Sequence, residues 1–167
     1  MDEADCMQRE VFDLSGAVIQ TAALFAPIAA MKEKSFEVDV CEGVSALGDE
    51  DAIRRMVSIL CDNAVLYASG SGDIRLTMRT SARTSEISVS NLWQKPSDRD
   101  ALEKIFDRFY RADASRDRNN GEAGFGIGLA IAQKIALRHN GKLYADAPGT
   151  GERICFHAII PIIRDAK

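Results

Sequence analysis

Residues Gly124-Phe-Gly-Ile-Gly-Leu129 place three glycines in five positions and run directly into a helical pattern, Gly126 to His139, closed by Asn140-Gly141. Glycines let a phosphate approach the backbone closely. The first N–H groups of the helix then point at the anion, and the helix dipole adds to the attraction. A flexible hinge is the plain alternative. A Rossmann fingerprint needs a strand immediately before the glycines, whereas here the preceding residues, Arg116-Asp-Arg-Asn-Asn-Gly-Glu122, read as a loop. A P-loop needs G-x-x-x-x-G-K-[ST], which is absent. The glycines close a stretch, residues 92–125, rich in Asp, Arg, Asn and Gly, with one short apolar segment from Leu102 to Tyr110. A long polar stretch inside a compact domain is usually a lid or binding loop.

The rest of the chain alternates between helical and strand periodicity. Ala17, Val18, Thr21, Phe25, Ile28 and Met31 follow helical spacing from Leu14, with Asp13 as N-cap and Pro27 as a point of kinking. Phe36 to Cys41 alternates as a strand. From Asp49, the residues Ile53, Met56, Val57, Leu60, Cys61, Ala64, Val65 and Ala68 form an i, i+3, i+4 stripe that Ser69-Gly-Ser-Gly72 ends. Two strands at about 73–80 and 86–91 form a hairpin, and two more, about 142–147 and 152–160, follow the glycine helix. This order predicts a two-layer α/β sandwich, a mixed and mostly antiparallel sheet covered on one face by about three helices. Residues 1–12 are polar and read as a lead-in.

Composition removes several functions. The 167 residues suit one domain and are 46% hydrophobic, and the net charge is −4 with both signs interspersed. A nucleic-acid-binding domain would show a basic stripe. Cys6, Cys41, Cys61 and Cys155 are scattered without a C-x-x-C pair, so neither a zinc site nor a disulfide framework is suggested. No apolar run approaches the ~20 residues of a membrane span.

Two further segments carry candidate chemistry. In Asp62-Asn-Ala-Val-Leu-Tyr67, Asn63 and Tyr67 are four apart and share a ridge beside the apolar stripe. An amide oxygen there suits one coordination position of Mg²⁺, the remainder going to phosphates and water; the plain reading is a polar residue at a helix–sheet boundary. In Ile105-Phe-Asp-Arg-Phe-Tyr-Arg-Ala-Asp113, two phenylalanines can anchor a loop while Arg108 and Arg111 reach phosphate oxygens.

In this order, the three segments resemble the N box, F box and G2 box of bacterial sensor histidine kinases, within the GHKL ATPase superfamily. The resemblance runs from about Val11 to Pro161 and implies the Bergerat α/β sandwich. It implies that Asn63 ligates Mg²⁺, that Tyr67 lies beside the adenine, and that Gly124, Gly126, Gly128 and Leu129 cradle the phosphates of ATP. It also implies a lid at about 94–124, within an ATP-binding domain at 13–164 that follows an upstream dimerisation and phosphoacceptor region. Three features depart from the family pattern. Leu66 replaces the usual basic residue before the Tyr. In the G1 box, Asn91 stands at the adenine-reading Asp, and Trp93 and Lys95 replace both glycines. Ile59 occupies the position at which gyrase, MutL-like and chaperone ATPases carry a Glu as general base.

The resemblance therefore implies a protein-histidine kinase module that hands the γ-phosphoryl group to a histidine on a separate domain, with a response regulator as the onward partner. Neither nucleic acid nor a membrane is a partner of the domain itself, which is expected on the cytoplasmic side of a membrane-anchored bacterial protein. His139 reads as a capping residue and His157 as structural. The alternatives are a decayed nucleotide-binding interaction module and a stand-alone serine kinase of the anti-sigma-factor type.

Overall fold

The computed structural model describes residues 8–94, 101–107 and 125–163. Helix α3 (Glu50–Tyr67) is its central element. Asp49 caps it, its carboxylate accepting from the Ala52 N–H at 3.1 Å, and Glu50 and Asp51 complement the dipole of the first turn. Ile53, Met56, Val57, Leu60, Cys61, Ala64 and Val65 are all buried, as the stripe predicted. Each of the larger ones is worth about 1.5–3 kcal/mol of apolar burial.

Beneath α3 lies a five-stranded sheet in the order β2-β4-β5-β7-β6. Its strands are β2 (Phe36–Val40), β4 (Ile74–Thr80), β5 (Thr84–Leu92), β6 (Lys142–Asp146) and β7 (Arg153–Pro161). β2 pairs in parallel with β4, and every other pairing is antiparallel. Alternation sorts the faces. Ile87 and Val89 of β5, with Ile154, Phe156, Ala158 and Ile160 of β7, turn inward and are buried. The register sets Ile87 opposite Ala158 and Val89 opposite Phe156. Helices α1 (Leu14–Ala23), α3 and α5 (Phe125–Arg138) form the second layer, joined by the short α2 (Ala26–Met31) and α4 (Ala101–Lys104). The mixed two-layer sandwich expected from the sequence is the observed fold.

Three features differ from the sequence expectation. Glu10–Asp13 is a strand, β1, and pairs antiparallel with β3 (Ser45–Gly48), so residues 10–12 belong to a small second sheet rather than to the lead-in. Only Phe12 of β1 is buried, and four residues with one inward side chain leave too little periodicity to read. The helix from Leu14 is two helices. The chain turns at Leu24 and Phe25, and Pro27 falls in the first turn of α2, where its missing N–H is harmless, instead of kinking a single helix. Finally, Leu14–Met31 is apolar enough by composition to cross a membrane, with a mean hydropathy of 1.6. The short breaks in its apolar run had hidden this. Here Leu14, Ala17, Val18, Ala22 and Ala29 are spent on the protein core.

Helix α5 ends in a Schellman motif, with Gly141 N–H donating to the Ala136 carbonyl at 2.9 Å and Asn140 N–H to the Leu137 carbonyl at 3.0 Å. Asn140, not Gly141, takes the left-handed conformation, at φ 62°. Gly141 is required for space instead, since a Cβ there would lie 1.9 Å from the Ile159 carbonyl oxygen. Gly141→Ala should therefore destabilise the domain by about 1–3 kcal/mol, the usual range for overpacking, in urea unfolding. Asn140→Gly, at an exposed site, should stay within about 0.5 kcal/mol of the parent.

Candidate functional site

The C-terminal half of α3, the end of β5, the start of α5 and the segment after α4 carry the residues singled out above. A short turn ties the first two together. Ser69 N–H donates to the Leu92 carbonyl at 2.9 Å, and Leu92 N–H donates to the Gly72 carbonyl at 3.0 Å. Gly72 has φ 78°, a conformation that favours glycine. The Lys34 ammonium donates to the Ala68 carbonyl at the end of α3, and burial followed by the neighbouring Lys32 lowers its pKa. On the far side of β5, the Arg153 guanidinium pairs with the Asp73 carboxylate, and also donates to the Asp73 carbonyl at 2.8 Å and to Ser90 Oγ at 3.1 Å. Sequence reasoning missed this clasp. Its partners are 80 residues apart, and neither carries a local signal.

Two buried asparagines are the polar centre of this candidate site. Asn63 is 6% exposed, and its side-chain oxygen has no hydrogen-bond partner among the described residues. Asn91 is 1% exposed and occupies the inward row of β5, opposite Ile154 and next in that row to the apolar Val89. Its amide nitrogen donates to the Leu92 carbonyl at 2.8 Å, while its oxygen has no partner among the described residues. A buried acceptor left unpaired costs about 1–3 kcal/mol, so two at one end of a fold mark a place where the fold is spent on binding. A neutral carboxamide oxygen is a hard ligand suited to Mg²⁺ and equally suited to accept from an amino group.

Helix α5 reaches this region through Gly128. A Cβ on that residue would make a van der Waals contact with Ile59 Cγ2 at 3.4 Å, so the first turn of α5 lies beside α3. Leu129 is 1% exposed and packs into the core. Gly126 falls in the first turn of α5. Ile59 is half-buried and packs against the core. Nearby, Cys61 is fully buried, and burial, then Asp62, pushes its thiol up to about 12, which leaves it inert. Tyr67 ends α3, half-buried on the ridge it shares with Asn63.

Phe106 meets Phe156 of β7 edge to face, ring centroids 6.0 Å apart, and Ile105 is buried. The first phenylalanine of the F-box segment is thus an anchor, as its spacing suggested. Trp93 turns away from the role of a glycine. Its N–H donates to the Glu152 carbonyl at 3.1 Å, and its indole Nε1 donates to the Gly151 carbonyl at 2.7 Å, so it is pinned to the turn between β6 and β7. Arg108, Arg111, Gly124 and Lys95 lie outside the described residues. A cavity beside β1, lined by Glu10, Asp49, Glu50 and Asp51 among others, sits at the opposite end of α3 and is too acidic to attract phosphate.

A family model for the histidine kinase-, DNA gyrase B-, and HSP90-like ATPases matches residues 48–162. The chain belongs to this family. The probable sensor protein PcoS of Escherichia coli is 35% identical over 139 residues, which is 82% of this chain and 28% of PcoS. Full-length ShkA, solved in complex with AMPPNP, superposes with a TM-score of 0.78 at 23% identity, covering 96% of this chain and 32% of that one. The histidine kinase ThkA, solved in complex with the response regulator protein TrrA, gives a TM-score of 0.74 at 21% identity, covering 94% of this chain and 42% of that one. The chain spans about a third of the length of the curated relatives it matches.

Within this nucleotide-binding domain both histidines are engaged. His139, 4% exposed, holds Nδ1 against the Ile135 carbonyl at 2.8 Å, and its Nε2 accepts from the Asp49 N–H at 3.0 Å. It is therefore neutral with the proton on Nδ1, capping α5 while tying it to the start of α3. His139→Ala strands the Asp49 N–H in the interior. It should lower stability by about 1–3 kcal/mol in chemical denaturation, the range for one unsatisfied buried group.

Proposed function

We propose that this chain binds Mg-ATP and passes the γ-phosphoryl group to a histidine on a separate dimerisation domain of a sensor kinase, from which it moves to a response regulator. The observation that carries the proposal is the pair of buried, unpartnered carboxamide oxygens on Asn63 and Asn91. Asn63 would hold Mg²⁺, which when bound screens the charge of the phosphate oxygens. Asn91 would accept from the adenine amino group through its free oxygen while its own amide stays fixed on Leu92. Tyr67 would flank the base, and Gly126 with the first turn of α5 would meet the phosphates, with Gly124 before them and Gly128 and Leu129 holding that turn against the core. Arg108 and Arg111 would reach the phosphate oxygens from the lid at about 94–124.

Ile59 supports transfer over hydrolysis. Water attack needs a base within reach, and an alkyl side chain packed against Gly128 takes no proton. Phosphoryl transfer depends on positioning and charge stabilisation, so this domain needs no carboxylate of its own. The acceptor belongs elsewhere, since both nitrogens of His139 are bonded in the interior and His157 is held by Ser88 and Asp146. ATP as donor assigns the domain to the cytoplasmic side. The ThkA–TrrA complex supports a response regulator as the onward partner.

Calorimetry and transfer test this together. Asn63→Ala should weaken Mg-ATP binding by roughly tenfold to a hundredfold, the equivalent of losing one charge-assisted contact, and leave metal-free ATP nearly unchanged. Added to a histidine-bearing dimerisation domain with γ-labelled ATP, the parent chain should place acid-labile label on that domain and none on itself. Equal loss in both titrations removes the metal role of Asn63. A chain that binds no nucleotide is an interaction module.

A further inference from the structure

The open face of the sheet, opposite the helices, carries a second constellation that the nucleotide site does not use. Residues of β7 alternate between the buried layer and this face, and Cys155 and His157 both fall on it. The neighbouring edge strand β6 sets Asp146 opposite Cys155 and Tyr144 opposite His157. One ligating atom each from Asp146, Cys155 and His157 lies within 4.8 Å of the other two.

We propose that Asp146, Cys155 and His157 form a zinc-binding site that clamps the edge strand β6 to β7. A thiol sulfur, an imidazole nitrogen and a carboxylate oxygen are the three donor types that zinc takes, and three protein ligands leave a fourth tetrahedral position for water. A thiol is a poor ligand for magnesium, so this site is chemically separate from the one at Asn63.

The backbone already supplies the placement. A tetrahedral zinc separates its sulfur and nitrogen ligands by about 3.5 Å, given bond lengths near 2.3 and 2.0 Å. Asp146 Oδ1 and His157 Nε2 are 3.0 Å apart, so closing the site requires only side-chain rotation by Cys155 and by the half-exposed Asp146. The imidazole is oriented for the role. It stacks on Tyr144 with centroids 4.9 Å apart, and Nδ1 lies 3.0 Å from Ser88 Oγ and 3.9 Å from Glu86 Oε1. With Nε2 on the metal, Nδ1 carries the proton and donates to Ser88, the arrangement by which a second partner fixes a ligating histidine. Binding forms one sulfur–zinc bond and releases the Cys155 proton to buffer, with no change of oxidation state. Burial first, then Asp146, pushes that thiol up, against the opposing pull of Arg153 and Ser90. Without metal the sulfur is therefore a thiol rather than a reactive thiolate.

The test uses cobalt(II) as the spectroscopic substitute for zinc, added alone to the nucleotide-free chain. The parent should develop thiolate-to-cobalt charge transfer and the intense visible bands of a tetrahedral ion, and one equivalent of zinc should abolish both. Cys155→Ser should lose the charge-transfer band, and Cys41→Ser should keep it. Asp146→Asn, at an exposed position, should weaken cobalt binding at least tenfold, and Ser88→Ala should weaken it by roughly tenfold, as loss of a supporting partner does. Mg-ATP affinity measured on the same samples should be unchanged, which separates failure here from failure of the nucleotide site. No charge-transfer band in the parent, or a band that survives Cys155→Ser, overturns the proposal. An Asp146→Asn chain that binds cobalt as tightly as the parent removes Asp146 from the site and with it the clamp on β6.

Discussion

Two backbone hydrogen bonds between the turn after α3 and the last residue of β5 hold the candidate site together. Ser69 N–H reaches the Leu92 carbonyl, and Leu92 N–H reaches the Gly72 carbonyl. They fix the C-terminal end of α3 against the strand that carries Asn91, and so set Asn63 and Asn91 in one frame. Each asparagine is buried by its own element, Asn63 by the packing of α3 and Asn91 by the inward row of β5. Without the turn, the two would be independent buried amides. With it they are two fixed acceptors, and in the proposed function one meets a cation and the other an amino group. The first turn of α5 lies beside Ile59 of α3 at Gly128, and the ring contact of Phe106 on Phe156 docks the segment after α4.

Much of this was legible in the sequence, because the signals are local. The α3 stripe, its Asp49 cap and the alternation of β5 and β7 each need only a short window of residues, and the spacing of Asn63 and Tyr67 fixes their common ridge. What stayed hidden depends on partners far along the chain. β1 acquires its structure from β3, more than thirty residues away, with one buried side chain to announce it. The Arg153–Asp73 clasp and the anchoring of Trp93 on Gly151 are likewise non-local. Trp93 is instructive. Its position alone suggests a bulky residue where a phosphate or base needs room, but two hydrogen bonds to the β6–β7 turn give it a structural post. Asn140-Gly141 does close α5 as the sequence indicated, but which residue does what was not legible there: Asn140 takes the positive φ, and Gly141 makes room for a strand carbonyl.

The chemistry follows from what the site lacks as much as from what it holds. In the proposed function, Ile59 offers no base to a water molecule and both described histidines are committed to hydrogen bonds, so the domain would position a phosphoryl donor for an acceptor held elsewhere. Its neutral acceptor at Asn91 is weaker than a carboxylate would be. The arrangement nevertheless keeps the amide nitrogen satisfied on Leu92, and only the oxygen is offered to a ligand.

The division of labour between the two asparagines is the central claim, and side-chain amide resonances report it directly. Paramagnetic broadening by Mn²⁺ falls off steeply with distance from the metal. With Mn²⁺ titrated in trace amounts into the Mg-ATP complex, the Asn63 side-chain amide signal should broaden at a lower Mn²⁺ ratio than the Asn91 signal, which should shift on nucleotide addition with or without metal. An Asn63 signal that stays sharp as Mn²⁺ is added, or an Asn91 signal that disappears first, would contradict the account.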